Sequence, residues 1–195
     1  MSSLPKHMYD DVVESFSLLC DVEKDSLVID LGCGDDYFIS LLRKKGFSNC
    51  VGCDSHPVRN GVVFLNLNKD LIFGDERVRL FTAFEVTEHL ENLHHFFREV
   101  SRCLRPGGYL IMTRPNNQKL FRGLEVREDN DHENIMSDAL LNKLCKRNGL
   151  KIVSQTGSPS IIPFLRIKLP PNRAFSDWWQ WTIQKRGRED ENIKN

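Results

Sequence analysis

Short apolar runs alternate with amphipathic segments along this chain. The runs are rich in Val, Ile, Leu and Phe and have the length of buried strands, whereas the segments between them repeat apolar residues at helical spacing. The pattern predicts seven strands, at 26–32, 49–54, 61–66, 78–85, 109–115, 150–156 and 175–185. It also predicts four helices, at 5–20, at 37–47 with Gly46 as its stop, at 91–108 ending in Pro-Gly-Gly, and at 137–149 ending in glycine.

Strands that alternate with helices predict an α/β protein with a doubly wound, mostly parallel seven-stranded sheet and helices on both faces. We expect the last strand to run antiparallel to its neighbours. The length of 195 residues predicts one domain, over residues 1–188, followed by a polar and disordered tail at 189–195. Ligands of such sheets bind at the carboxyl ends of the strands, so we expect the functional residues in the loops that follow them.

Charge and composition narrow the classes of function. The chain has 27 basic and 27 acidic residues, and this formal net charge of zero argues against indiscriminate attraction to nucleic acid or anionic lipid. The first residues do not resemble a signal peptide, and no apolar stretch has the length of a transmembrane segment. These features predict a cytoplasmic protein. They leave its oligomeric state open.

Six cysteines are expected to be reduced and buried thiols: Cys20, Cys33, Cys50, Cys53, Cys103 and Cys145. The spacing of Cys50 and Cys53 also occurs in zinc and redox sites. A structural zinc site needs about four ligands, however, and the chain has no second pair of this kind. Side chains alternate along a strand, so these two thiols should point to opposite faces of the sheet.

The stretch "VIDLGCGDDYF" places a glycine turn directly after the first predicted strand. A dinucleotide-binding turn would follow Gly32 and Gly34 with a third glycine, which is missing here. Asp35 and Asp36 would repel a diphosphate, but they suit a ligand that carries positive charge. S-adenosylmethionine is such a ligand, because it has a sulfonium and an ammonium group and no phosphate.

These residues carry a family resemblance over roughly positions 10 to 156. "VIDLGCGDD" resembles the first motif of class I S-adenosylmethionine-dependent methyltransferases, which have a Rossmann-like fold. "GCD" resembles their acidic ribose-binding position, about 20 residues after the glycine turn. "AFEVTEHLENLHHFFREVSRCLRPGGYLIMTRPN" is similar to a small subgroup with an E-V-x-E-H-L segment, which includes ubiquinone-biosynthesis-type and methionine-biosynthesis-type methyltransferases.

The resemblance implies a set of cofactor-binding residues. Asp30 would orient the methionine ammonium through water, Asp54 would accept from the ribose hydroxyls, and Asn66 would read the exocyclic amine of adenine. The implied set is Asp30, Gly32, Cys33, Gly34, Asp54, Asn66, Leu67, Phe84 and Glu85. The chain departs from the family at three places, because Asp36 replaces a third glycine, Asn66 replaces an aspartate, and "SHPVRNG" is too short for the usual second helix.

The segment "EVTEH" brings candidate catalytic and metal-binding groups. If the chain is helical there, Glu85, Glu88 and His89 share a face. With His132 they could bind a divalent metal, Mg²⁺ or Mn²⁺, as the resemblance implies, and the metal would hold a substrate hydroxyl and lower its pKa. His132 could instead act alone as a general base. The structural alternative is that Glu88 and His89 hold the loop to the next helix and that His132 caps a helix.

The resemblance therefore implies an enzyme that transfers a methyl group from S-adenosylmethionine to an oxygen, rather than a nitrogen, of a small-molecule or glycan acceptor. The catalytic residues expected are His132, Glu85 and His89. One alternative is a 2′-O-methyltransferase of RNA 3′ ends, which the lack of a basic stripe disfavours. The other is a methyltransferase-like binding partner or regulator without turnover. The sequence does not identify the acceptor.

Overall fold

The computed structural model of the protein describes residues 22–57, 59–115, 136–157, 160–162, 167–169 and 178–187. Three helices are α1 (Tyr37–Lys44), α2 (Leu93–Cys103) and α3 (Asp138–Arg147), and a 3₁₀ turn spans Thr87–His89. The strands are β1 (Val28–Leu31), β2 (Cys50–Asp54), β3 (Val63–Phe64), β4 (Val78–Phe84), β5 (Leu104–Pro115), β6 (Leu150–Gly157), β7 (Ser160–Ile162), β8 (Ile167–Leu169) and β9 (Trp178–Lys185). The helix predicted at 5–20 and the tail predicted at 189–195 lie outside the described residues.

Seven strands form one sheet in the order β3-β2-β1-β4-β5-β9-β6. The five strands from β3 to β5 pair in parallel, and β9 is antiparallel to both β5 and β6. This confirms the predicted fold class, including the antiparallel last strand. The order reverses between β1 and β4, because the chain moves outward from β1 on one side and from β4 on the other. Such a switch point leaves a crevice at the carboxyl ends of the strands.

The two faces of the sheet bury separate apolar clusters. Phe96, Phe97 and Val100 of α2 pack on one face, and Phe38 and Ile39 of α1 pack on the other. The apolar spacing of α1 and α2 predicted this burial. No helix in the described part of the chain is long and apolar enough to cross a membrane.

The cysteines of β2 follow the predicted alternation. Cys50 belongs to the cluster on the α1 face and Cys53 to the cluster on the α2 face, so their thiols point apart. Burial raises the pKa of Cys53 to about 12, which keeps it a thiol. Five of the six cysteines are described, and all five are free and buried, as expected; Cys20 lies outside the described residues.

The predicted end of α2 is wrong. The sequence placed it at Pro-Gly-Gly, but the helix ends at Cys103 and β5 begins at the next residue. Leu104 pairs with Val78 of β4, and the register shifts before Leu80 pairs with Tyr109. The Pro-Gly-Gly segment lies in the irregularity between these two pairs, so β5 continues past residues that local composition marks as a stop. The third strand is also shorter than the predicted 61–66, since only Val63 and Phe64 pair with β2.

Gly52 in the middle of β2 gives the glycine turn room to fold back on the sheet. A Cβ atom at Gly52 would lie 2.7 Å from Cys33 Sγ, 3.2 Å from Cys33 Cβ and 3.4 Å from Ile39 of α1. The first of these distances is shorter than a van der Waals contact, so a larger residue at position 52 would displace the turn.

We therefore predict that Gly52→Ala lowers the free energy of unfolding by about 1 to 3 kcal/mol, the usual cost of overpacking. Urea denaturation of the purified protein measures the loss. Adding Cys33→Ala should recover part of it, because the sulfur that meets the new methyl group is removed. A Gly52→Ala protein as stable as wild type, or one that Cys33→Ala does not improve, would contradict this packing argument.

Candidate active site

A cleft opens at the carboxyl ends of the strands around the switch point. It is open to solvent on one side, and about 880 Å³ of space, part of it open solvent, lies between its lining residues. Its charged lining groups are the carboxylates of Asp35, Asp54 and Glu85, and none of the described residues that line it is a lysine or arginine. The full lining is Gly32, Cys33, Gly34, Asp35, Asp54, Ser55, Leu65, Asn66, Leu67, Asn68, Phe84, Glu85, Val86, His89 and Leu90.

The glycine turn between β1 and α1 uses left-handed backbone at three positions. Gly32 has φ 72°, Gly34 has φ 54° and Asp36 has φ 60°. A Cβ at Gly32 would also lie 2.6 Å from Val86 Cγ2, so glycine is required there for space as well as for conformation. Aspartate adopts left-handed backbone more readily than most residues, which explains how Asp36 replaces the family's third glycine. The turn therefore forms despite the substitution.

Asp54 holds the cleft together at the end of β2. Its side chain is 2% exposed; Gly34 N donates to Oδ2 at 3.0 Å and His56 N donates to Oδ1 at 2.8 Å. A carboxylate has about four lone-pair positions, two on each oxygen. Each oxygen therefore keeps one position for a ligand, which is the pattern needed to accept from two neighbouring hydroxyl groups.

Asp30 lies behind the cleft and is not one of its lining residues. It is 2% exposed, and Thr82 Oγ1 donates to Asp30 Oδ1 at 2.6 Å. The pKa of Asp30 is raised to about 7: burial raises it most, the hydrogen bond from Thr82 opposes the shift, and the charge of Asp54 adds to it. The role expected for Asp30, orienting an ammonium through water, stays a prediction.

One end of the cleft is formed by the segment after β3. Leu65, Leu67 and Leu90 supply apolar wall, and Asn66 and Asn68 supply amides. Asn68 N donates to Asn66 Oδ1 at 2.9 Å, so the amide oxygen expected to read adenine already accepts a backbone bond. Sequence reasoning included Asn66 and Leu67 but missed their lining neighbours, although adjacency in the chain is a signal that could have found them.

Glu85 lines the cleft directly after β4, in a strained backbone conformation. Its φ is 53°, which is uncommon for a residue other than glycine. Thr113, fully buried on β5, accepts from Glu85 N at 3.2 Å through Oγ1 and donates to Glu85 Oε1 at 3.1 Å. Phe84, which also lines the cleft, packs edge-on against Phe38 with 4.9 Å between ring centroids. The sequence offered no signal for Thr113, because its partner is 28 residues away.

The structure corrects the predicted helical face of Glu85, Glu88 and His89. The 3₁₀ turn begins only at Thr87, and the left-handed conformation of Glu85 separates it from that turn. His89 is exposed and lines the cleft, whereas Glu88 is buried with 6% of its side chain exposed. No three His, Cys, Asp or Glu side chains among the described residues form a group that could hold a metal ion. His132 lies outside the described residues, so the four-residue metal site stays a prediction.

One family model matches this chain, and solved structures share its fold. The model of the methyltransferase domain family matches residues 6–155. An S-adenosylmethionine-dependent methyltransferase from Archaeoglobus fulgidus has a TM-score of 0.74 at 15% identity, with 93% of this chain and 95% of that chain covered. A methyltransferase from Haloferax volcanii, solved with the Trm112 methyltransferase activator, has a TM-score of 0.66 at 19% identity and 94% coverage of each chain.

Geranyl diphosphate C-methyltransferase from Streptomyces coelicolor, solved with Mg²⁺, geranyl diphosphate and S-adenosyl-L-homocysteine, has a TM-score of 0.66 at 16% identity. The match covers 90% of this chain and 77% of that chain. At these identities the structural likenesses show a shared fold. A search of curated proteins found no match.

The buried carboxyl of Asp30 generates a pH prediction. Its folded-state pKa of about 7 lies above the ordinary value of 3.8, so the folded state holds the proton more tightly than the unfolded state. The stability that this proton contributes is present below about pH 4 and is lost as the pH rises to about 7. Asp30→Asn, which carries no charge, should therefore gain stability relative to wild type across this window and level off above it.

Urea denaturation of both proteins at intervals between about pH 4 and pH 8 measures the difference. Carboxyl groups that do not interact with Asp30 titrate equally in the two proteins and cancel. Asp25→Asn, at an exposed aspartate, is the matched control and should give a profile parallel to wild type. A parallel profile for Asp30→Asn would mean that Asp30 has an ordinary pKa.

Proposed function

Because this chain belongs to the methyltransferase domain family and is an S-adenosylmethionine-dependent methyltransferase, we propose that it methylates an oxygen atom of a small-molecule acceptor. The observation that carries the proposal is that Glu85 and His89 both line the cleft that Asp54 lines. A carboxylate and an imidazole beside the site of methyl transfer suit an acceptor that must lose a proton, as a hydroxyl group must.

We place the cofactor with its ribose on Asp54 and its base against Leu67. Its methionine end then runs past Gly34 and Asp35 toward Glu85. The charge of the cleft supports this placement, because its carboxylates attract a sulfonium and an ammonium and no described lining lysine or arginine repels them. The same charges would repel the diphosphate of a nicotinamide dinucleotide.

When bound, the cofactor supplies an electrophilic methyl group on a positively charged sulfur. The protein has to hold the acceptor oxygen in line with that methyl group and exclude water. Thr113 fixes both the backbone and the carboxylate of Glu85. Strain of this kind costs about 1 to 3 kcal/mol and occurs where the surrounding structure holds a functional group in place. We propose that Glu85 accepts a hydrogen bond from the acceptor hydroxyl and so aims its oxygen at the methyl group.

His89 is proposed as the group that takes the hydroxyl proton. An imidazole can accept a proton near neutral pH, and His89 is exposed within the cleft. His132 is the second candidate for this role on sequence grounds. The proposal uses no metal ion, and the two histidines can be distinguished by substitution.

The acceptor is proposed to be a small molecule, with a glycan hydroxyl as a variant of the same chemistry. The formal net charge of zero and the acidic cleft would both disfavour a polyanionic RNA end. An RNA 3′ end is therefore the less favoured acceptor. A cofactor-binding regulator without turnover is the remaining alternative, and the assays below distinguish it from an enzyme.

The placement of the ribose predicts that Asp54→Ala weakens S-adenosylmethionine binding at least about tenfold. Two charge-assisted hydrogen bonds are lost, which costs about 2 to 4 kcal/mol after allowing for non-additivity. Isothermal titration calorimetry measures the affinity. Asp25→Ala removes an exposed carboxylate from the same chain and should bind like wild type. Unchanged affinity in a folded Asp54→Ala protein would contradict the placement.

The catalytic roles predict that His89→Ala lowers kcat by about a hundredfold or more, the usual contribution of a general base, with little change in cofactor affinity. Glu85→Gln should lower kcat and raise the acceptor KM, because the hydroxyl is no longer aimed. The assay follows labelled methyl groups from S-adenosylmethionine over a panel of small hydroxyl compounds, glycans and short RNAs. A chelator should leave the rate unchanged.

Three other outcomes of these assays would change the proposed roles or function. Loss of turnover in His132→Ala but not in His89→Ala would move the base to His132. Turnover abolished by chelator and restored by Mg²⁺ or Mn²⁺ would favour the metal set of Glu85, Glu88, His89 and His132. Tight cofactor binding without turnover on any acceptor would favour the regulator.

A further inference from the structure

Two asparagines at the leucine-lined end of the cleft use their carbonyl oxygens inside the protein. Asn68 N donates to Asn66 Oδ1 at 2.9 Å, and Glu91 N donates to Asn68 Oδ1 at 3.0 Å. A backbone N–H can only donate, so the atom that faces it must be the oxygen of each amide. This fixes which end of each side chain remains for a ligand, without the usual ambiguity between the oxygen and nitrogen of an amide.

The hydrogen-bonding groups that these two asparagines leave for a ligand are mainly donors. Each asparagine keeps an NH₂ group with two hydrogens that bonds no described residue, whereas each oxygen has one of its two acceptor positions occupied. The other side chains at this end, Leu65, Leu67 and Leu90, are apolar. Asn66 is exposed and Asn68 is half-buried, and together they offer a ligand four N–H hydrogens but only two acceptor positions. A ligand edge that presents acceptors can therefore use more of these groups than an amino group can.

The two amides are also held in place. The bond from Asn68 N closes a turn on Asn66, and the bond from Glu91 N ties Asn68 to the residues that precede α2. Both ends of this segment are therefore attached to regular structure, through β3 and through α2. Donors fixed before binding lose little conformational entropy when a ligand arrives.

We infer that this end of the cleft recognises the ring nitrogens of a purine through the NH₂ groups of Asn66 and Asn68, and does not read the 6-amino group. The inference rests on the proposed placement of the cofactor. It departs from what the family resemblance implied, in which the residue at position 66 would accept from the exocyclic amine. On this inference, asparagine at position 66, where the resemblance implies aspartate, makes the ring nitrogens of the purine, instead of its 6-amino group, the atoms that determine which base binds.

The experiment compares S-adenosylhomocysteine with analogues that differ only in the base. In one analogue the 6-amino group is absent, and in three others N1, N3 or N7 is replaced by C–H. Wild type should bind the analogue without the amine with less than about a tenfold loss, whereas a site that reads a donor rejects ligands lacking it by orders of magnitude. At least one of the C–H analogues should lose about tenfold or more.

Asn66→Asp and Asn68→Asp test the residues, because each keeps the oxygen that accepts the backbone hydrogen bond and exchanges the NH₂ group for an acceptor. At least one of them should now reject the analogue without the amine by about tenfold or more. The added charge cancels in the ratio of two ligands that differ only in the base. Asn60→Asp is the matched control, at an exposed asparagine outside the cleft lining, and should keep the wild-type ratio.

Several results would overturn the inference. A wild-type loss of about tenfold or more for the analogue without the amine would show that the amino group is read. Full affinity for all three C–H analogues, or a wild-type ratio in both aspartate variants, would show that the asparagine donors do not contact the ring nitrogens. If one variant fails to fold, the other and the wild-type ratios still decide. No binding of S-adenosylhomocysteine at all would contradict the proposed function, which is a different failure.

Discussion

The buried carboxylate of Asp54 is the interaction on which the cleft depends. A charge removed from water has to be satisfied by hydrogen bonds, and Asp54 obtains them from the backbone of Gly34 and His56. These bonds join the glycine turn to the loop after β2. The same carboxylate therefore shapes the protein and keeps acceptor capacity for a ligand. A side chain at position 54 that could accept bonds only from the loops, or only from a ligand, would leave the other without a hydrogen-bond partner.

Two of the three non-glycine residues with left-handed backbone in the described part of the chain, Asp36 and Glu85, lie in loops beside the cleft; the third is Glu76. Asp36 and Glu85 each have a compensating contact. Arg59, in the short connection between β2 and β3, donates to Asp36 Oδ1 at 3.3 Å. Thr113 accepts from the backbone N–H of Glu85 and donates to its carboxylate. The contact between Asp36 and Arg59 thus ties the short connection to the glycine turn.

Charge gives the cleft its chemical character. Asp35, Asp54 and Glu85 line it, Asp30 lies behind it, and the described lining contains no basic side chain. Because Asp30 and Asp54 repel one another, burial and proximity together keep Asp30 near its titration point at neutral pH. The site is thereby suited to a cation and opposed to phosphate. This property follows from the lining as a whole rather than from any single residue.

The sequence alone determined whatever depends on local periodicity and turn chemistry. The alternation of strands and helices in the sheet, the opposite faces of Cys50 and Cys53, and the left-handed aspartate after the glycines follow from side-chain alternation and backbone preference, which neighbours along the chain decide. The antiparallel last strand was expected as part of the methyltransferase fold. Family resemblance added Asp54 and Glu85 to the site, and both line the cleft.

Only the tertiary structure decided features that join residues far apart in the chain. The end of α2 at Cys103 depends on the pairing of Leu104 with Val78, and the position of Glu85 depends on Thr113 in the next strand. The use of the amide oxygens of Asn66 and Asn68 depends on backbone groups that no composition or spacing identifies. Strand register and loop closure set these contacts, and their partners become neighbours only after the sheet has formed.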